Sequence, residues 1–360
     1  LRCAVSSSKT KNQIAKKFFD MTIIVTGSAG FIGYHVAERL FAEGCDVVGV
    51  DNFSAYYDVS IKEGRSEILR ACDTFVEERM DLSDGQALID LIGKYKPTQV
   101  IHLAAQPGVR YSLENPKAYT ESNIDGFLSV LEACRHHPVK HFIFASTSSV
   151  YGANTAMPFS EHHGADHPVS LYAATKKANE MMAHSYAHIF GIPSTGLRFF
   201  TVYGPWGRPD MAPFLFTDAI LNDRPIKVFN RGDMQRDFTY IDDIVEGIIR
   251  LIDKPPAPVP SKSESQDPAA SAVAPYRILN IGSGRPEKLT HFIDVLEREL
   301  GRKAKRELVD MQDGDVVATW CDTTEIEHIT GFKPQINIDV GVARFVAWYL
   351  SYFGDKLQGQ

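Results

Sequence analysis

Tyr172 and Lys176 set a phenol and an ammonium four residues apart in a stretch, Tyr172–Phe190, that is free of Gly and Pro and rich in Ala and Met. On a helix that spacing stacks both groups on one face. An ammonium beside a phenol favours phenolate and lowers the tyrosine pKa toward working pH. The pair would then take a proton from a carbinol while the same carbon gives up a hydride. The spacing recurs at Tyr352 and Lys356, where a glycine-containing segment near the C-terminus makes it read as chance. Company distinguishes Tyr172. Ser146-Thr147-Ser148-Ser149 closes a short apolar run, and a hydroxyl there can hold a substrate oxygen and share its proton. Without the tyrosine, the same run would be turn chemistry at a strand end.

A second constellation lies near the start of the chain. Gly27-Ser-Ala-Gly30-Phe-Ile-Gly33 follows a strand-like run and opens a helix-like one. Glycines at these places permit a tight turn and let backbone N–H groups approach a pyrophosphate at the helix N-terminus. Asp51 closes the next strand-like run, placed to hydrogen-bond the ribose hydroxyls of an adenosine. A carboxylate there would repel a 2′-phosphate, which favours NAD over NADP. Asp81-Leu82 holds a similar strand-end position near the adenine, and the small residues of Leu103-Ala104-Ala105 leave room for the cofactor.

These groups need a scaffold, and the pattern supplies one. Short apolar runs at Met21–Thr26, Asp46–Val50, Phe75–Arg79, Val100–Ala104, Phe142–Ala145 and Gly196–Phe200 alternate with helical periodicity. That predicts an α/β fold: a Rossmann doubly wound parallel sheet over residues 21–200, with a smaller C-terminal substrate-binding domain. Residues 238–252 and 276–283 are expected to return to the first domain, and 201–237 with 284–360 to form the second. Residues 254–275, rich in Pro, Ser and Ala, read as a flexible insertion. Residues 1–20, polar and basic, read as an upstream extension.

The bulk numbers exclude other classes. The chain has 360 residues, 44% hydrophobic content and a net charge of -7. That balance gives no electrostatic reason for a nucleic-acid partner or an anionic membrane, and no apolar run is long enough to span one. Five cysteines, odd in number and without a CxxC, point to a reduced cytoplasmic protein rather than a disulfide framework or a metal site. His162, His163 and His167 lack a metal-ligand helix pattern and read as surface residues.

In this order, the residues resemble the extended short-chain dehydrogenase/reductase family from Met21 to about Phe353: GSAGFIG, Asp51, HLAAQ, STSSVYG, YxxxK and RDFTYIDD. Within it they resemble the nucleotide-sugar 4-epimerases. The strings His102–Tyr119, Gly204–Phe216 and Lys227–Ile244 are similar to those of the UDP-glucuronate 4-epimerases. The resemblance implies Thr147 as the catalytic hydroxyl, Tyr172 as the base and Lys176 at the nicotinamide ribose. It implies Arg236 at the diphosphate, Phe229 at the uracil, and Gln312 and Asp315 at the uridine. Asp313 departs from the family's usual proline. The candidate NAD-binding set also takes in Phe31, Ile32, Asn52, Asn123 and Phe199. Thr201, Ser148, Ser149 and Arg208 are candidates for gripping a sugar carboxylate, with Arg208 also readable as a solvated loop residue.

The expected reaction is NAD-dependent 4-epimerisation of UDP-glucuronate to UDP-galacturonate. Oxidation at C4 makes a β-keto acid, which loses carbon dioxide readily. Related decarboxylases carry a Glu where Ser149 stands here, so the decarboxylase reading lacks its acid-base group. A UDP-hexuronate decarboxylase and a UDP-glucose 4-epimerase remain the enzymatic alternatives, and an NAD(H)-binding sensor the non-enzymatic one. The helices near Ala118–Cys134 and Tyr172–Phe190 resemble those that pair in family homodimers.

Overall fold

The computed structural model describes residues 21–259, 267–311 and 317–357. The expected extension at 1–20, and Gln312 and Asp315, lie outside them. Seven strands form one parallel sheet: β1 (Thr22–Thr26), β2 (Asp46–Asp51), β3 (Phe75–Arg79), β4 (Gln99–His102), β5 (His141–Thr147), β6 (Ser194–Phe199) and, far later in the chain, a strand at Tyr276–Ile281. Counted in that sequence, the spatial order is 3-2-1-4-5-6-7. The chain therefore reverses direction across the sheet between β1 and β4, which opens a crevice at the strands' carboxyl ends.

Residues along each strand alternate between two cores. Ile23 and Val25 join a cluster with Val36, Leu40, Ile101 and Ile143. Ile24 faces the other way, with Val48, Val100, Phe142 and Phe144. Strands buried on both faces need apolar residues at both parities, which is why the sequence shows runs rather than alternation. Helices cover each face: α1 (Phe31–Ala42), α2 (Val59–Arg70), α3 (Gly85–Tyr95), the short α4 (Tyr111–Glu114) and α5 (Pro116–Thr120), α6 (Gly126–His136) and α7 (Leu171–Phe190). Ser170 caps α7 by accepting from Ala173 N, and Gly191 ends it in the left-handed conformation.

Beyond β6 the chain builds smaller sheets from β7 (Thr201–Tyr203), β8 (Pro225–Val228), β9 (Gln235–Tyr240), β10 (the Tyr276–Ile281 strand of the large sheet), β11 (Pro286–Lys288), β12 (Lys305–Leu308) and β13 (Ala318–Thr319). β9 pairs with β7, β11 and β13, and β8 with β12. Helices α8 (Ala212–Leu221), α9 (Ile241–Leu251), α10 (Leu289–Leu300), α11 (Thr324–Thr330) and α12 (Ile338–Leu357) complete the chain.

The helical stretch expected near Ala118–Cys134 is present and carries a π-helical turn, Glu121–Asp125, between α5 and α6. One expectation needs correction. Part of the expected insertion is packed rather than loose. Ala269, Ser271 and Ala274 are buried, and Ala270 bridges Arg277 on β10, because small side chains let this segment lie flat on the sheet edge.

Candidate active site

The carboxyl ends of β1, β2, β4, β5 and β6 open into one cleft of about 410 Å³, within the usual range for a small-molecule site. The glycine loop forms one wall. Gly27 lies at φ +73°, and a Cβ added at Gly33 would fall 2.0 Å from Gly27 O, a contact only glycine avoids. The N-terminus of α1 has no side-chain cap and no acid in its first turn. Its N–H groups, at Phe31, Ile32 and Gly33, stay available to an anion at the positive end of the helix dipole.

Asp51 accepts from Ala29 N at 3.1 Å and Phe53 N at 2.8 Å, so the acid is fixed against the loop. Asn52 donates to Asp81 at 2.8 Å, joining the two strand-end positions. Leu82, Leu103, Ala104, Ala105 and Phe199 line the same space. Lys62 adds a cation that the sequence reading missed: its Nζ stands 3.9 Å from Asp51 and over the Tyr57 ring. Burial lowers its pKa, against the pull of Asp51.

Thr147 ends β5 beside Phe199 of β6. Its hydroxyl favours the Tyr172 phenolate and lies 3.3 Å from Ser149 Oγ. Tyr172, Lys176, Ser148, Ser149, Thr201 and Arg208 all line the cleft. The electrostatics differ from expectation. Desolvation raises the Tyr172 pKa, and the opposing pull comes from Arg208 and the Thr147 hydroxyl, not from Lys176. Burial pushes the Lys176 ammonium itself down to about 7, with Glu180 pulling upward. A lysine so desolvated is a weak source of positive potential near neutral pH.

Arg208 is half-buried and paired rather than a free loop cation. It donates to Asp210 through Nε at 3.0 Å and Nη2 at 2.5 Å, and Tyr56 donates to the same carboxylate at 3.1 Å. Asp210, Tyr56 and Tyr57 carried no sequence signal, because their meaning depends on a fold that brings α2 beside the turn after β7.

Three candidates stand outside the cleft wall. Asn123 is spent on the backbone: it accepts from Gln106 N at 2.8 Å and donates to Gln106 O and Thr175 Oγ1, both at 3.1 Å. It shapes the cofactor side through the 103–108 loop instead of reaching it. Phe229 packs under the Arg110 guanidinium, 5.2 Å from its centroid. Arg236 donates to Gln235 O and Val317 O, where β9 pairs with β13. Tyr352 packs on Trp206 at 4.6 Å, far from any acid-base role, and His162, His163 and His167 are exposed.

Residues 23–282 match the model of the NAD dependent epimerase/dehydratase family. A probable UDP-glucuronate 4-epimerase of Rhizobium meliloti is 50% identical over 91% of this chain and 97% of its own length. UDP-glucuronate 4-epimerase 1 of Arabidopsis thaliana is 47% identical over 93% of this chain and 78% of its own. The crystal structure of the Bacillus cereus UDP-glucuronic acid 4-epimerase, in complex with UDP-glucuronic acid and NAD, superposes with a TM-score of 0.82 at 32% identity, covering 92% of this chain and all of that one. With its parallel sheet, glycine loop and Tyr172/Lys176 pair, this chain belongs to the NAD-dependent epimerase/dehydratase family.

Proposed function

We propose that this protein interconverts UDP-glucuronate and UDP-galacturonate by NAD-dependent inversion at C4. The observation that carries the reading is the meeting, in one cleft, of Tyr172 and Thr147 with a hydroxyl cluster and the Arg208 guanidinium. The glycine cradle, the uncapped α1 N-terminus and the fixed Asp51 fit a dinucleotide: a Cβ at Gly27 would lie 2.7 Å from Ala104 N, in the space a pyrophosphate's neighbours must share. Gly27, Gly30 and Gly33 would hold the pyrophosphate and Asp51 the adenosine ribose, with Lys62 beside it. Lys176 would take the nicotinamide ribose. Bound NAD supplies a reversible two-electron acceptor for the sugar carbon.

Tyr172 removes the proton of the 4-hydroxyl, and the Thr147 hydroxyl holds the same oxygen. Ser148, Ser149 and Thr201 offer neutral hydroxyls to the sugar carboxylate, and Arg208 offers charge. Ser149 supplies no acid-base group for loss of carbon dioxide, so the 4-ketone returns to a hexuronate. Residues 201–237 and 284–360 carry the UDP-sugar side of the site, with Arg236 and Phe229 reached when a nucleotide spans the cleft. A homodimer through α6 and α7 belongs to the same reading, supported by Leu128 and Met181, which are 40% and 52% exposed there. So does a cytoplasmic location, supported by cysteines that are all unpaired among the described residues. No helix among them is long and apolar enough to cross a membrane.

The test supplies UDP-glucuronate and resolves the nucleotide sugars at equilibrium. UDP-galacturonate should accumulate without a UDP-pentose. Carbon dioxide as the main product, or turnover of UDP-glucose alone, would sink the reading.

A further inference from the structure

Arg65 lies on α2, fully buried, and outside the acid-base machinery. Its guanidinium makes five hydrogen bonds and so uses every donor of the fork. Nη1 donates to Ala29 O and to Tyr57 Oη, both at 2.8 Å. Nε and Nη2 donate to Trp206 O at 3.1 and 2.6 Å, and Nη2 also reaches Gly207 O at 3.2 Å. Ala29 belongs to the glycine loop, and its own N–H is held by Asp51. Trp206 and Gly207 immediately precede Arg208. One buried side chain thus joins the dinucleotide loop to the turn that delivers Arg208 to the cleft.

That turn is not relaxed. Trp206 lies at φ +60°, a conformation that bulky L-residues avoid and that persists only where the surroundings overdetermine it. Here they do. Arg65 binds the Trp206 carbonyl twice, and the indole packs on Tyr34 at 5.8 Å, Trp348 at 5.3 Å and Tyr352 at 4.6 Å. Beyond it, Asp210 and Tyr56 fix the Arg208 guanidinium. The backbone is anchored at one end of the turn and the side chain at the other.

We propose that Arg65 is a positioning residue for the sugar-carboxylate end of the site, holding the Gly204–Asp210 turn, and with it Arg208, in register with the dinucleotide loop. This rests on the UDP-hexuronate reading above. A buried arginine that only staples the fold would loosen every ligand alike. One that acts through Arg208 affects the acidic sugar selectively.

The experiment measures, by calorimetry on protein loaded with NAD, the dissociation constants of UDP-glucuronate and UDP-glucose. It compares wild type, Arg65→Lys, Arg208→Gln and the double variant. Arg65→Lys keeps the charge but loses the fork. It should weaken UDP-glucuronate on the order of tenfold, and UDP-glucose by less than about twofold. In the Arg208→Gln background that selective loss should vanish, as coupled residues require. Equal weakening of both sugars, or a selective loss that survives in Arg208→Gln, overturns the proposal. Should Arg65→Lys fail to fold, Tyr57→Phe decides: a smaller shift in the same direction supports it, and an unchanged preference overturns it. A wild type that does not prefer the acidic sugar sinks the functional reading instead, so the two failures are distinguishable.

Discussion

Tyr172 works as a base only as phenolate, and its surroundings pull two ways. Desolvation favours the neutral phenol, while Arg208 and the Thr147 hydroxyl favour the anion. Tyr172→Phe should lower kcat by about 10²–10⁴-fold, the usual worth of a positioned acid-base group, measured by conversion of UDP-glucuronate. A variant keeping full rate would remove Tyr172 from the mechanism. Thr147→Val removes a hydroxyl that favours the phenolate, so Tyr172 should titrate higher. The acidic limb of the kcat/KM profile, which reports deprotonation of the base, should then move to higher pH. A limb that stays in place or moves down would show that Thr147 acts on the substrate alone.

The edge formed by β5, β6 and α7 holds those groups still, and it is built around a buried ion pair. Glu180 and Arg198, both without exposure, join through two contacts of 2.9 Å. Ser146, next to Thr147, donates to the same carboxylate at 2.7 Å. Burial alone would raise the Glu180 pKa, but the Arg198 hydrogen bonds hold it low. Arg198→Met would leave the buried carboxylate, one helical turn from Lys176, with only Lys177 at 3.3 Å and the Ser146 hydroxyl as partners. It should cost about 3–5 kcal/mol of unfolding free energy, read from urea denaturation, and a cost under about 1 kcal/mol would mean the pair is not structural. None of this was legible in the sequence, since Glu180 and Arg198 meet only across packed elements. The strands were legible because burial on both faces leaves continuous apolar runs, and the glycine loop because its backbone geometry admits one residue type. The π-helical turn at Glu121–Asp125 was not, because it keeps helical composition while shifting the face it presents. Arg65 was invisible for a related reason: four of its five hydrogen bonds go to carbonyls, which every residue carries.

At the scale of the molecule, the cleft lies between the large sheet and the elements that follow β6, and it places an ammonium in the interior. Burial holds Lys176 at about 7, against an ordinary 10.5. Between those values the unfolded chain binds a proton at this site that the folded chain lacks, so stability from this group rises with pH across the window. Below about pH 7 both states carry the proton, and the desolvation cost stands at full strength. Lys176→Met fills similar volume without charge and should unfold at higher temperature than wild type. Its advantage is expected to be about 1–4 kcal/mol at the acidic end and to shrink toward pH 10.5 as the wild-type penalty disappears. Thermal unfolding of both proteins at fixed ionic strength, stepped through that range, measures the gap. A gap that stays flat or widens with pH would mean that Lys176 keeps its proton when folded. Its ammonium would then be a standing charge at the nicotinamide end of the cleft, and Tyr172 would feel two cations where the present geometry gives it chiefly Arg208.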